Sequence, residues 1–336
     1  DIGLEPDGID EVIRGNALYG GGNPARVAAL QAGVPEHIPA LTIDSQCCAG
    51  LDAIMLAAGR VACGSASAIV AGGVESFSRA PLRLRRPRQP MEAPEPYDRP
   101  PFTPWPERDP DMIEAAGDLA AALGVTREAQ EAFAVESHDK ALRHRASSAE
   151  IVAVADTVAD TFSRPLTAAL CRRLPLLAGD ADHGVTSATV AVEADAAAVV
   201  LVVSEAMLSR LGATRSLRIV GGGRSGGDPV QPGLVPIAAA RELLQRHGID
   251  AADIAVAEVM EAFAVQAMAC IDGIGLAPEA VNRGGGALAR GHPIGASGAI
   301  LAVRLWHEMQ REAVGAKGLA AIAAAGGLGS ALLVER

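Results

Sequence analysis

The segment TIDSQCCAGLDAI, Thr42 to Ile54, sets two of the chain's five cysteines side by side between a polar run and an apolar one. Asp44, Ser45 and Gln46 supply residue types that suit a helix N-cap, and Leu51, Ile54, Leu56 and Ala58 continue as an apolar helix. A thiol at such a junction sits in the partial positive field of a helix N-terminus, which lowers its pKa and favours the reactive thiolate. Nucleophilic attack on a carbonyl is the chemistry this would serve. The same pattern also suits a pair of small buried residues under a helix start, and on this stretch alone both readings stand. A second dense stretch, VNRGGGALARGHPIGASGAI, Val281 to Ile300, carries six glycines in twenty residues and then runs into a helix. Its backbone can approach a ligand closely and aim N–H groups at it. His292, between Gly291 and Pro293, is held in a tight turn; His37, His138, His144, His183, His247 and His307 stand in polar, surface-like contexts.

Elements that could position these groups follow from an approximate internal repeat. CCAGLDAIMLAAGRVACGSASAIVAGG runs from a small or polar start through an apolar helix, a short turn and a buried strand to a glycine pair. GASGAILAVRLWHEMQREAVGAKGLAAIAAAGG repeats that order, so that Ile69–Gly73 matches Ala323–Gly327. Both strands are continuous apolar runs, as expected when both sheet faces are covered. The chain thus divides into two similar α/β halves, 1–210 and 211–336, the first carrying an insertion over about 78–184. The insertion opens with RAPLRLRRPRQPMEAPEPYDRPPFTPWPERDPD, too rich in Pro to be regular helix or strand. Helical patterns follow in MIEAAGDLAAALG and TREAQEAFAVESHDKALRHRA, the latter with Thr126 as its N-cap. A long irregular insertion on a rigid scaffold is a frequent ligand-binding lid.

Composition narrows the function. With 336 residues and 49% hydrophobic content, but only 3% aromatic, the core must be built from Ala, Val, Leu and Ile. A formal charge of −11 argues against a nucleic-acid partner. No apolar run reaches the roughly 20 residues of a membrane span, and the opening DIGLEPDGIDEVIRG lacks the basic and apolar regions of a secretion signal. Cysteines too scattered for a disulfide framework place the chain in a reducing cytoplasm. There is no CxxC or HExxH, hence no suggested metal site. The basic cluster Arg83, Arg85, Arg86 and Arg88 suits either a phosphorylated ligand or a solvated loop face.

Taken together, the two stretches resemble the thiolase family, and the likeness runs over almost the whole chain. TIDSQCCAGLDAI is similar to the segment that carries the family's acyl-accepting cysteine, which places that role on Cys47. VNRGGGALARGHPIGASG is similar to its most specific motif, centred on His292. AIVAGGVESFS and MEAFA, Met260 to Ala264, match further blocks. The resemblance implies a five-layered αβαβα fold with a loop domain, an oligomer (homodimer or homotetramer, or a heteromeric assembly), and an acyl-CoA thioester as substrate with no permanently bound cofactor. It also implies CoA-binding roles for Met112, which matches a methionine of the pantetheine pocket, for Arg164, which matches an arginine packed on the CoA nucleotide, and for Phe263. A start at Asp1 would omit the family's first strand and helix.

Four departures from the pattern bear on the chemistry. The family's second cysteine, an acid/base for the α-proton or the incoming thiol, falls on Ala323, and Ala325 replaces a glycine of the turn after it. The asparagine that holds a water over the thioester oxygen falls on Met260. A serine near the pantetheine is Ala191, and the histidine beside Met112 is Asp111. General acid/base catalysis is worth on the order of 10²–10⁴ in rate, so acyl loading can survive while thiolysis fails. Three functions follow as expectations: a thiolase-like acyltransferase with altered or reduced carbon–carbon chemistry, a degenerate CoA-ester-binding or partner subunit, and a decarboxylating condensing enzyme like the ketoacyl synthases. Cys48, one residue on from Cys47, should point away and serve packing.

Overall fold

A computed structural model describes residues 3–145 and 150–336. Two four-stranded mixed sheets form its frame. The first orders its strands Ala40–Ile43, Glu11–Gly15, Ala68–Ser76 and Asp195–Val203, parallel except for the last. The second runs Ile254–Val259, Lys317–Ala324, Leu328–Glu335 and Arg218–Gly226, with only its first pair parallel. Between the sheets lie the helices Ala49–Ala62 and Ile294–Met309, packed on each other and on strands of both sheets. Helix Pro24–Gln31 covers the first sheet from outside, and Val235–His247 and Ala264–Ile274 cover the second. The layering is αβαβα, as expected. Ile13, Leu51, Ile54, Ile69, Leu305, Met309 and Ile322 fill one continuous core across the central helix layer, and small residues elsewhere let the layers close up.

The central helices approach closely because two glycines allow it. A Cβ on Gly50 would lie 2.7 Å from the Ala299 nitrogen, and one on Gly298 would lie 2.5 Å from the Leu51 nitrogen. The helices therefore meet near their N-termini, just beyond the two chemically interesting stretches.

The two halves repeat, but not in the register read from the sequence. Gly72 and Gly73 lie inside the strand Ala68–Ser76, whereas Gly326 and Gly327 (φ +80° and +79°) form the turn after Lys317–Ala324. The antiparallel pair Ala68–Ser76 and Asp195–Val203 corresponds to Lys317–Ala324 and Leu328–Glu335. Where the second half has a short turn, the first runs out to the insertion. That insertion is not wholly irregular at its start, since Leu84–Arg85 pairs with Glu95–Pro96. Helices Met112–Leu123 and Arg127–Arg145 follow, and Thr126 Oγ1 accepts the Ala129 N–H at 3.2 Å, the cap read from the sequence.

Candidate active site

Cys47 sits in the single 3₁₀ turn Gln46–Cys48, immediately before the helix Ala49–Ala62. Gln46 is left-handed at φ +56°, which turns the chain sharply just ahead of the sulfur. The expected N-caps are engaged elsewhere. Asp44 Oδ1 accepts the Gln46 N–H at 2.8 Å, Ser45 Oγ donates to buried Asp52 at 2.6 Å, and the helix is capped by no side chain. Cys48 is buried, its Sγ 3.5 Å from the Ile322 carbonyl, and is a packing residue as expected.

His292 arrives from the other half. Its N–H donates to the Val192 carbonyl at 2.7 Å, and the helix Ile294–Met309 begins just after it. Buried Glu75, on the first sheet, accepts N–H groups from Gly295 at 2.9 Å and Ala17 at 3.0 Å, pinning that helix start to the first half. Across the junction, His292 Nε2 stands 3.2 Å from Cys47 Sγ. Behind the ring, Nδ1 lies 2.7 Å from Ser297 Oγ, which donates to the Pro293 carbonyl at 3.1 Å. With the hydroxyl proton so directed, Ser297 accepts Nδ1–H, and Nε2 is left as the base facing the thiol. Ser297 was missed in the sequence, although its place in the first turn of the helix that follows His292 in HPIGAS was a usable signal.

Electrostatics here overturn one expectation. Burial pushes the Cys47 thiol up to about 12 and the His292 imidazole down to about 4. Desolvation outweighs the helix field, and the nearby carboxylates Glu75 and Asp44 add to it. The N–H groups of Cys47 and Ala325 work the other way, donating toward the sulfur. The pair thus rests as neutral thiol and neutral imidazole. It can ionise in concert with attack on a carbonyl carbon, and inward-aimed N–H groups can stabilise developing negative charge.

The other assigned residues are spread around this centre. Phe263, N-cap of Ala264–Ile274, packs in a cluster with Ile113 and Leu119 of the insertion helix that Met112 begins. Arg164 lies with its guanidinium 4.2 Å over the Phe162 ring, and its backbone N–H donates to His138 Nδ1 at 3.3 Å. His138 is therefore no surface residue: it is 1% exposed, and burial together with Arg164 holds it at about 4. His144 and His307 are half-buried and line a common cavity, a second correction to the surface reading. Buried Glu261 ties insertion to glycine loop, accepting Ser137 Oγ at 2.7 Å, Asn282 Nδ2 at 2.7 Å and the Leu288 N–H at 3.2 Å.

Each departure can be placed. Met260 is 2% exposed and belongs to the core cluster against which Cys47 packs. Ala323 is the last residue but one of the strand that lies against the Cys47 turn, opposite Gly329. Ala191 donates its N–H to the Ala262 carbonyl at 3.0 Å. Asp111 holds the insertion helix in place, its carboxylate capping Met112–Leu123 through the N–H groups of Ile113 and Glu114 at 2.8 and 3.3 Å. Among the described residues no group of three His, Cys, Asp or Glu could hold a metal, and no helix is long and apolar enough to cross a membrane.

Comparison with known proteins agrees with this architecture. The family models for the thiolase N-terminal and C-terminal domains match residues 1–206 and 214–336. YhfS of Bacillus subtilis (strain 168), whose name gives acetyl-CoA C-acetyltransferase activity as unproven, is 38% identical over 98% of this chain and 88% of its own. An acetyl-CoA acetyltransferase of Thiocystis violacea is 38% identical over 99% of this chain and 89% of its own. The crystal structure of the Bacillus anthracis acetyl-CoA acetyltransferase superposes with a TM-score of 0.88 at 33% identity, covering 99% of this chain and 88% of that one. With matches over both halves and a common fold throughout, the chain belongs to the thiolase family.

Proposed function

We propose that this chain is a CoA-dependent acyltransferase that loads an acyl group onto Cys47 and has reduced thiolysis and condensation. The observation that carries the reading is the 3.2 Å approach of His292 Nε2 to Cys47 Sγ, with Ser297 holding the far side of the ring. In the first half-reaction the Cys47 proton passes to Nε2 as the sulfur attacks the thioester carbon. The tetrahedral oxyanion is met by backbone donors. Its collapse breaks the carbon–sulfur bond to CoA, whose thiolate takes the proton back from the imidazolium. Acyl-CoA and Cys47 thiol become S-acyl-Cys47 and free CoA. His292 is neutral again and can take the proton of an incoming CoA thiol, so acyl exchange between CoA molecules needs no further acid or base.

Condensation does need one, since an α-proton must leave the second acyl-CoA. Ala323 has nothing to ionise, and the Met260 side chain has no N–H to anchor a water over the oxyanion. Met112, Arg164 and Phe263 are the residues assigned to CoA, acting in a homodimer or homotetramer of the cytoplasm; the five free cysteines suit that compartment. The contiguous Cys47–His292–Ser297 chain speaks against a purely structural subunit.

Steady-state thiolysis of acetoacetyl-CoA tests the depleted half of the site. The unmodified protein should fall below the ordinary enzyme range of roughly 1–10³ s⁻¹. Ala323→Cys with Met260→Asn should raise the rate by more than the product of the single changes, because groups acting as one catalytic unit are not additive. Ordinary turnover by the unmodified chain would refute the reading of reduced chemistry.

A further inference from the structure

Asp52 lies buried in the first turn of the helix Ala49–Ala62, and three side chains share its carboxylate, two of them from the second half of the chain. Ser45 Oγ donates to Oδ2 at 2.6 Å, and the Arg224 guanidinium reaches the same oxygen at 3.0 Å. Ser330 Oγ donates to Oδ1 at 2.6 Å. Arg224 and Ser330 stand opposite each other on the strands Arg218–Gly226 and Leu328–Glu335. Ser330 in turn stands opposite Ile322 on Lys317–Ala324. One carboxylate of the first half is thus fastened to a cross-strand row of the second. With both oxygens engaged, the buried charge is compensated and its geometry is fixed.

Both ends of this link lead to the Cys47 sulfur. Ser45 immediately precedes the turn Gln46–Cys48, and its carbonyl accepts the Cys48 N–H at 3.2 Å. Gln46 inside that turn stands at φ +56°, a conformation that persists only where the surroundings impose it. Asp44 holds the Gln46 N–H from one side, and Asp52 holds Ser45 from the other. At the far end of the link, Ser330 belongs to the hairpin whose turn carries Ala325. Ala325 and Cys47 are the two residues whose N–H groups donate toward the sulfur. We propose, resting on the acyl loading of Cys47 above, that Asp52 is a positioning residue for acyl transfer. By tying Ser45 to Ser330 and Arg224, it sets the spacing between the Cys47 and Ala325 N–H groups that meet the oxyanion. Such donors stabilise charge only when they are already aimed at the place where it develops. A misplacement of about 1 Å costs on the order of 10² in rate. Asp52 itself touches no reacting atom and acts through the backbone it holds.

Rapid-quench mass spectrometry of Cys47 acetylation, run beside alkylation of Cys47 by iodoacetamide mapped on peptides, tests the assignment. Alkylation displaces iodide at a saturated carbon and forms no oxyanion, so it reports on the thiol and His292 alone. Asp52→Asn should slow acetylation at saturating acetyl-CoA about 10- to 100-fold, the scale of a lost supporting partner. The half-saturating acetyl-CoA concentration and the alkylation rate of Cys47 should stay close to those of the parent. Ser45→Ala and Ser330→Ala should each slow acetylation in the same selective way. Combining Ser45→Ala with Asp52→Asn should add little, since both cut one link. Should Asp52→Asn fail to fold, the two serine variants decide. Unchanged acetylation in these variants, or alkylation slowed as much as acetylation, would overturn the positioning role while leaving Cys47 as the acyl acceptor. A parent protein that takes no acetyl group on Cys47 would refute the acyltransferase reading, and this role with it.

Discussion

In the proposed function, Cys47 ionises only when its electrophile arrives. A thiol held at about 12 beside an imidazole held at about 4 gives a flat pH response. Acylation by acetyl-CoA should be level from pH 6 to 9 and fall as the pH drops toward 4, where His292 takes a proton and ceases to be a base. A rise centred near pH 6.5 would contradict this state. Iodoacetamide at pH 7.5 should label exposed Cys63 before Cys47, since the Ser65 hydrogen bonds lower the Cys63 thiol pKa while burial raises that of Cys47. Ser297→Ala should slow acylation about 10- to 100-fold, the scale of a lost supporting partner, and move the acid limb of the profile; an unchanged profile would deny Ser297 its positioning role. TIDSQCCAGLDAI and GHPIGASG stood out as candidate stretches because both depart from ordinary helix or strand composition, and the roles proposed for Cys47 and His292 came from the resemblance to the thiolase family. Their ionisation was not legible, because desolvation depends on what the other half of the chain packs over the sulfur. His138 escaped for the same reason: ESHDKALRHR reads as polar surface until Phe162 and Arg164 cover it.

At the scale of elements, the site is a meeting of two helix starts, and small residues hold them together. Gly298→Val would drive side-chain carbons into the Leu51 backbone, a contact that no rotamer relieves. It should cost about 1–3 kcal/mol, as overpacking does, read as a lowered denaturant midpoint, and should slow acylation by parting the helix ends. Stability within a few tenths of the parent would show that the helices have slack there. Two similar α/β halves could be anticipated from the repeated helix–strand pattern, since buried strands and apolar helices announce themselves locally, and the αβαβα layering from the resemblance to the thiolase family. The register of the repeat could not. A glycine pair reads alike whether it sits within a strand, as Gly72–Gly73 does, or in a turn, as Gly326–Gly327 does.

Over the whole molecule, buried titratable groups set the response to acid. His138 and His292 stay neutral in the fold down to about 4, whereas in the unfolded chain they take protons from about 6.5 downward. Acid therefore favours the unfolded state across that window. Buried Glu258, raised to about 7 by desolvation in spite of Arg304, works oppositely, since it protonates first in the fold as the pH falls from 7 toward 4.5. Burial also raises Glu261 and lowers His144 and His307. Four histidines against two glutamates predict a net loss, so the melting temperature by scanning calorimetry should be lower at pH 5 than at pH 7. An equal or higher value at pH 5 would mean that other buried carboxylates dominate. Binding of CoA should weaken with salt and with Arg164→Ala despite the net charge of −11, because a local cation acts within one Debye length.

Intact-mass spectrometry after incubation with acetyl-CoA tests the central claim most directly. The parent protein and Cys48→Ala should each gain one acetyl group, mapped to Cys47, and Cys47→Ala should gain none. An acetyl group found on Cys48, or retained in Cys47→Ala, would contradict the account.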